Sequence, residues 1–378
     1  MAAVFALMLS IIFGKCLIAF FKKHQINEGI RDLGLHEQAQ KAQVPTMGGI
    51  IIIAGTVIST LLFSKFKNIY IILLLITTVW MGGIGLLDDY IKVFKKDKRG
   101  LAGKFKVAGQ VVLGLIVSLV VIFNSQVVIR EFKGNAAIEN KMADIEDVET
   151  HYKYVKAIKT TIPFFKNNEF DYSMLLPRAA APYAWILYGL AIIFIISAVS
   201  NGANLTDGLD GLTAGTAAIV GTTLAILAYV SGNIIFSRYL NIMYIPEVAE
   251  STVFITAFVA ACIGFLWYNT YPAQIFMGDT GSLVIGSIIA IMAIITRKEL
   301  LIPLLCGVFL IENVSVIIQV AFFKYTKYKS GIGKRIFKMA PIHHHFQMLG
   351  IHEAKIVIRF WIISVILAIL TLITLKVR

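Results

Sequence analysis

The chain has 378 residues, 58% of them hydrophobic and 15% charged, with a mean hydropathy of +0.79 and a formal net charge of +13. A soluble domain of that length needs far more polar surface. Runs of about 20 apolar residues, enough to cross ~30 Å of hydrocarbon, recur from end to end. The composition excludes a water-soluble globular protein, and the runs are continuous rather than alternating, which excludes a membrane barrel.

About ten transmembrane helices are predicted in one all-α polytopic domain, residues 1–378, near 3–21, 47–63, 69–87, 105–124, 184–200, 211–230, 252–268, 281–296, 301–323 and 357–375. The first run, "AAVFALMLSIIFGKCLIAFF", has no basic residue ahead of it and no small-residue cleavage pattern, so it reads as a span and not as a signal peptide. The segment after it contains "KAQVPTMGG", with Lys41 and Thr46. After the third span comes "GLLDDYIKVFKKDKRGLAGK", with Asp88, Asp89, Lys92 and Lys104. Segment 125–182 is a long excursion whose eight basic residues are matched by eight acidic ones, and it holds no reactive constellation. The fifth and sixth spans are joined by "VSNGANLTDGLDGL" (Asn201, Asn204, Asp207, Asp210), the seventh and eighth by "WYNTYPAQIFMGDTGSL" (Asn269, Phe276, Asp279). Ahead of the last span lies "KMAPIHHHFQMLG", with His343, His344 and His345. Cys16, Cys262 and Cys306 all fall inside apolar runs and read as packing residues.

Lysine and arginine counts assign the sides. Segments 22–46, 88–104 and 324–356 carry four, six and seven; 64–68, 231–251 and 297–300 carry two, one and two. The first set is expected to face the cytoplasm, which puts both termini outside and all five polar motifs on the cytoplasmic face. The count used no acid, asparagine or histidine, so their gathering on one face points independently to a single cleft. The basic excess there can meet anionic headgroups of membrane lipids and phosphorylated substrates. No folded basic domain remains for nucleic acid.

Each motif has a plainer reading. Asp88 and Asp89 could cap a helix, Asp207 or Asp210 could cap the sixth span, and Asp279 the eighth. Adjacent carboxylates such as Asp88 and Asp89 repel, however, and a cation or a proton-transfer role compensates them. Three adjacent histidines cannot converge on one zinc ion, so imidazoles aimed at phosphate oxygens fit better. Carboxylates and amide oxygens favour Mg2+. With lysines and histidines to neutralise oxyanions, the set reads as phosphoryl transfer by electrostatic stabilisation between a nucleotide-linked donor and a lipid phosphate.

The segments "PTMGG", "DDYIK", "NLTDGLDGL", "FMGDTGSL" and "PIHHHF", in this order, closely resemble the phospho-N-acetylmuramoyl-pentapeptide transferase family, a branch of the polyprenyl-phosphate N-acetylhexosamine-1-phosphate transferases. The resemblance implies a ten-helix bundle, homodimeric, in the bacterial cytoplasmic membrane, moving phospho-MurNAc-pentapeptide from UDP to undecaprenyl phosphate with Mg2+ and yielding lipid I and UMP in peptidoglycan synthesis. It implies Asp279 as a metal ligand assisted by Asp207 and Asn201, Asp88 (beside Asp89) as base on the lipid phosphate, and Lys104 with His343, His344 and His345 on phosphates. Lys41, Asn204, Gly208, Leu209, Asp210 and Phe276 would line the uridine pocket; Thr46, Lys92, Asn269 and Gln319 are further contacts. Direct attack and a covalent aspartyl intermediate both stay open. The chain departs from the family in beginning almost directly in its first span and in the length of 125–182. The rivals are a UDP-GlcNAc-using sister transferase and an ion-coupled transporter.

The side assignment makes a direct prediction. In intact cells of a host bacterium, a cysteine replacing Lys67 should react with a membrane-impermeant maleimide, and one replacing Lys95 should react only after the membrane is opened. The reverse pattern would invert the topology.

Overall fold

The computed structural model describes residues 1–24, 26, 44–97, 99–132, 152–162, 169–240 and 242–376. The helices, numbered in chain order, are α1 (Ala2–Lys23), α2 (Gly49–Phe63), α3 (Ile69–Phe94), α4 (Gly103–Phe123), α5 (Ala184–Thr206), α6 (Leu212–Ser231), α7 (Ile234–Leu240), α8 (Ser251–Asn269), α9 (Gly278–Ile295), α10 (Ile302–Leu305), α11 (Gly307–Ser330), α12 (Ile342–Gln347) and α13 (Glu353–Ile373). Among the described residues nine segments are long and apolar enough to cross a bilayer, and α2, at 15 residues, is the shorter tenth apolar helix. The chain is a helical polytopic membrane protein.

Several helices run past the apolar windows that predicted them. Hydropathy falls where polar residues begin, but backbone in a bilayer interface still gains by closing its own hydrogen bonds. α3 continues to Phe94 instead of stopping at 87, so Asp88 and Lys92 share a helix face four residues apart. α5 continues to Thr206, which puts Asn201 and Asn204 on a helix rather than in a loop. α9 begins at Gly278 and α13 at Glu353, so Asp279 and Glu353 each fall in a first helical turn. The ninth span is broken at Cys306 into α10 and α11.

The axis of the bundle is α9, whose residues from Thr280 to Ile295 are all buried. It packs against α2, α3, α5 and α6, while α8 packs against α1, α2 and α6. Large apolar side chains face outward along the peripheral helices, among them Met8 and Ile12 on α1, Leu119 on α4, Phe194 on α5, Ile317 on α11 and Ile366 on α13. Lipid is as apolar as these side chains, so close packing and internal hydrogen bonding hold such helices together. Buried hydroxyls accordingly donate to the carbonyl four residues back, as Ser59 does to Gly55 (2.6 Å), Thr60 to Thr56 (2.7 Å) and Thr77 to Leu73 (2.7 Å). A Cβ on Gly49 would run into the backbone of Gly281, so α2 and α9 touch main chain to main chain at their N-terminal turns.

The 125–182 excursion is not all-helical. Its described residues form two antiparallel pairs, β1 (Ile129–Phe132) with β2 (Tyr152–Val155) and β3 (Lys159–Thr161) with β4 (Glu169–Asp171). Thr161 N–H donates to the Arg297 carbonyl (2.9 Å) and Lys298 Nζ donates to Thr161 Oγ1 (2.6 Å), which docks the excursion beyond the C-terminal end of α9. It therefore lies at the end of α9 remote from Asp279. The turn that joins α9 to α10 buries Arg297, Lys298 and Glu299 beneath it.

Gly49→Val should cost about 1–3 kcal/mol by overpacking against fixed backbone, visible as a lower melting temperature in detergent. Gly83→Ala, where an added Cβ meets nothing within 4 Å, should match or slightly exceed the parent.

Candidate active site

Asp89, in the last turns of α3, is fully buried and acts as a cap for a different helix. Its carboxylate accepts from Asp279 N–H (3.0 Å), Thr280 N–H (2.9 Å) and the Thr280 hydroxyl (2.6 Å), satisfying orphan donors at the start of α9. No side chain within α9 itself caps that end. Gly278, with φ +72°, leaves room for this carboxylate where a Cβ would meet it. Of the two adjacent aspartates, Asp89 is therefore the cap, and it works across helices.

Asp88 faces the other way. It is also fully buried, with Lys92 Nζ at 2.7 Å, Lys106 Nζ at 2.9 Å and the Leu101 N–H at 2.7 Å. Both lysines also reach Asp279: Lys92 at 3.4 Å from Oδ1, and Lys106 in a close ion pair with Oδ2. Carboxylate oxygens of Asp88, Asp89 and Asp279 come within 4.8 Å of one another. Asn204 closes the group, its amide donating to Asp279 Oδ1 (3.0 Å) and to Ser282 Oγ (2.9 Å). Asp207, just past the end of α5, is half-buried; burial, and then the charges of Asp279, Asp89 and Asp210, hold its carboxyl well above the usual carboxylate range.

The donor set fits a hard divalent cation. Among the described residues four carboxylates (Asp88, Asp89, Asp207, Asp279) share this region with two ammonium groups (Lys92, Lys106), which leaves about two negative charges uncompensated when all four are ionised. Oxygen ligands and that deficit suit Mg2+ better than a softer metal.

The remaining residues singled out in the sequence sort as follows. Asp210 is buried and accepts from the Ala273 N–H (3.0 Å), while its own N–H donates to Glu353 Oε1 (2.7 Å). It does not cap α6, whose N-cap is Gly211 at φ +81° without a side-chain bond. Asn269 spends both amide atoms on backbone, accepting from Gly211 N–H (3.0 Å) and donating to the Ile275 carbonyl (2.8 Å). Phe276 is held through its backbone: its N–H donates to the Pro45 carbonyl and its carbonyl accepts from Gly48 N–H, both at 2.8 Å, which draws the buried Thr46 to the same end. Leu209 is buried with Leu212, Val308, Ile356, Val357 and Phe360 and anchors the turn instead of lining an opening. Gly208 is exposed on one side and has the His343 ring where a Cβ would stand.

Lys104, Asn201, Gln319 and the histidines, like Leu209, stand elsewhere than expected. Lys104 is exposed, with Nζ 5.2 Å from the centre of its neighbour's ring, Phe105; Lys106, two residues on, occupies the place among the carboxylates. The helical turn of α4 decides this, since residues two apart point to different faces. Asn201 donates to Gln110 Oε1 (2.9 Å) and the Ser197 carbonyl (2.8 Å), so Asn204 is the asparagine on Asp279. Gln319 binds backbone of 336–337, accepting from Ile336 and Phe337 N–H (3.1 and 3.0 Å) and donating to the Phe337 carbonyl (3.1 Å). The histidines diverge, as their adjacency requires: His343 is buried near Glu312, His344 Nδ1 pairs with Gln347 Oε1 (2.7 Å), and His345 Nδ1 accepts from Lys338 N–H (3.1 Å). Lys41 lies outside the described residues.

Helical membrane architecture and a carboxylate–lysine cluster at one end of the bundle accompany a match to the family model Glycosyl transferase family 4 over residues 71–297, more than half the chain. These define a membrane transferase of that family. Full-length similarity narrows it: proteins named phospho-N-acetylmuramoyl-pentapeptide-transferase from Amoebophilus asiaticus, Flavobacterium psychrophilum and Porphyromonas gingivalis are 69%, 57% and 50% identical, each alignment covering 100% of this chain and 93% of the relative. The chain belongs to the phospho-N-acetylmuramoyl-pentapeptide transferase family.

Lys106→Ala should lower transferase turnover by about 10²-fold, the scale of losing one preorganised charge-stabilising group. Lys104→Ala should lose no more than a few-fold. Equal losses in the two variants would return Lys104 to the site.

Proposed function

We propose that this chain transfers phospho-MurNAc-pentapeptide from UDP to undecaprenyl phosphate, forming lipid I and UMP for peptidoglycan synthesis. The reading also has it working as a homodimer in the bacterial cytoplasmic membrane, with Mg2+ bound and the cleft toward the cytoplasm. The observation that carries it is the meeting of Asp88, Asp89, Asp279, Lys92 and Lys106 at one end of a membrane bundle. That end is where a soluble donor and a lipid phosphate can both arrive. The lysine and arginine bias of segments 22–46, 88–104 and 324–356 supports the cytoplasmic orientation.

In this reading Asp279 holds Mg2+ with Asp207 and Asp88 beside it, and the ion supplies neutralisation of the donor diphosphate. Lys92 and Lys106 carry the remaining charge stabilisation, since phosphoryl transfer is largely a matter of position and electrostatics. An acceptor phosphate oxygen attacks the phosphorus that bears the sugar; the phosphoanhydride bond breaks and UMP leaves with its electrons. A phosphate monoester, with a second ionisation near about 6, is already mostly dianionic at neutral pH and needs little help from a base. Asp88, fully buried and paired with two ammonium groups, suits holding those lysines in place better than abstracting a proton or forming an aspartyl phosphate. That pairing supports direct attack in this reading. Asp210 and Gly208 ahead of α6, Asn269 at the end of α8 and Phe276 ahead of α9 form the nucleotide side. The family resemblance adds Lys41 and Thr46 to that side.

A sister enzyme using UDP-GlcNAc shares the carboxylate logic, and a transporter would also hold buried acids. The transporter is disfavoured because the acids gather with lysines at helix ends on one side of the bundle.

Purified protein in detergent, given UDP-MurNAc-pentapeptide, undecaprenyl phosphate and Mg2+, should release UMP, and excess EDTA should abolish the release. Asp279→Ala should be inactive at every practical Mg2+ concentration while melting within a few degrees of the parent. UMP from UDP-GlcNAc alone would reassign the donor; ion-driven uptake into vesicles without any UMP would reassign the class.

A further inference from the structure

Glu312 and His343 are both fully buried, and nothing in the proposed chemistry uses Glu312. Glu312, in the second turn of α11, has Oε2 3.0 Å from His343 Nδ1. Among the described residues neither carboxylate oxygen has a hydrogen-bond donor of good geometry, and neither His343 ring nitrogen has a hydrogen-bond partner, so Glu312 and His343 meet as a close polar contact. A buried carboxylate so placed is costly unless a neighbour such as His343 compensates it, and a leucine would fill the same space without that cost. The opposite side of the His343 ring lies against Gly208, where a Cβ would collide with Nε2, Cε1 and Cδ2. The imidazole is therefore wedged between a fixed acid on α11 and the turn that carries Asp207 and Asp210. The same turn is also tied to α11 one helical turn before Glu312, where Leu209 and Val308 belong to one buried cluster.

We propose that Glu312 is a positioning residue for the transferase: through the His343 ring it sets the Asp207–Asp210 turn against Asp279. Glu312 touches neither substrate nor cation; it orients the imidazole, and the imidazole fixes how closely the turn approaches. The inference rests on the transferase reading of the site. Displacement of a reacting group by about 1 Å can cost 10²-fold in rate, so loss of the acid should be felt in turnover more than in donor affinity.

Full-length wild type, Glu312→Ala, Glu312→Gln, His343→Ala and the Glu312→Ala/His343→Ala pair are compared in detergent for UMP release and for melting temperature. Glu312→Ala should lower kcat by about 10²-fold with donor KM changed less than about threefold. Glu312→Gln should recover at least about tenfold of that, because its amide oxygen can keep the 3.0 Å contact with His343 Nδ1. The double variant should be no slower than His343→Ala alone, since both changes remove one linkage. Multiplying losses in the double variant, or wild-type kcat in Glu312→Ala, would overturn the proposal. Should Glu312→Ala not fold, Gly208→Ala decides: it should be damaging alone and relieved by His343→Ala, and absence of relief rejects the wedge. If wild type releases no UMP, the transferase reading fails; the coupling is then read from melting temperatures, where non-additive losses uphold it and additive losses reject it.

Discussion

The site depends on one buried carboxylate that serves another helix. Asp89 receives two backbone N–H groups and a hydroxyl from the first turn of α9, and charge-assisted bonds of this kind are worth roughly 1.5–3 kcal/mol each. Because α9 is the buried axis of the bundle, that cap fixes more than its own end. It sets the height of Asp279 relative to α3, and α2 must then meet α9 through Gly49 and Gly281 with no side chain between them. Asp279, the residue best placed for a cation, is thus held by its backbone while its carboxylate stays available to lysines, amides and metal.

The second constraint is electrostatic. Asp88, Asp279 and Asp207 would repel strongly in so dry a region. Lys92 rises from α3 and Lys106 from α4 to stand between Asp88 and Asp279, and they restrain the charge without cancelling it. A site left short of positive charge in this way suits a divalent cation and, in the proposed function, would with the lysines suit an oligophosphate. In the proposed function the cost of that repulsion would be offset once cation and substrate are bound, the distribution of energy that phosphoryl transfer needs.

Much of this was legible in the sequence, and the rest was hidden for definite reasons. Apolar run length anticipated the nine long apolar helices and the shorter α2 seen among the described residues, and the lysine and arginine bias predicted one side for the five motifs. What hydropathy could not give was the polar continuation of α3 and α5, because the helix persists where the apolar run stops. Without that continuation the face shared by Asp88 and Lys92, and the choice of Asn204 over Asn201, were out of reach. Lys104 drew notice through its motif, whereas only helical phase distinguishes it from Lys106. Glu312 did leave a signal: an acid inside the apolar run "FLIENVSVII" is costly in a membrane span and marks a position with a partner. Glu353 left less of one, standing in a polar stretch where an acid is ordinary.

The two halves of the site have different sources. The carboxylates and lysines lie within residues 71–297, the region matched by the family model, whereas Glu312, His343 and Glu353 lie beyond it on α11, α12 and α13. The turn from Asn204 to Gly211 answers to both. Asn204 reaches Asp279, Gly208 accommodates the His343 ring, Asp210 donates its N–H to Glu353, and Gly211 is tied to Asn269. A turn held from two directions cannot follow one without straining against the other, because interiors packed this closely transmit displacement instead of absorbing it. In the proposed function the chemistry would then sit on the helices within 71–297, while the C-terminal helices would set how the turn that carries Asp207 and Asp210 approaches it.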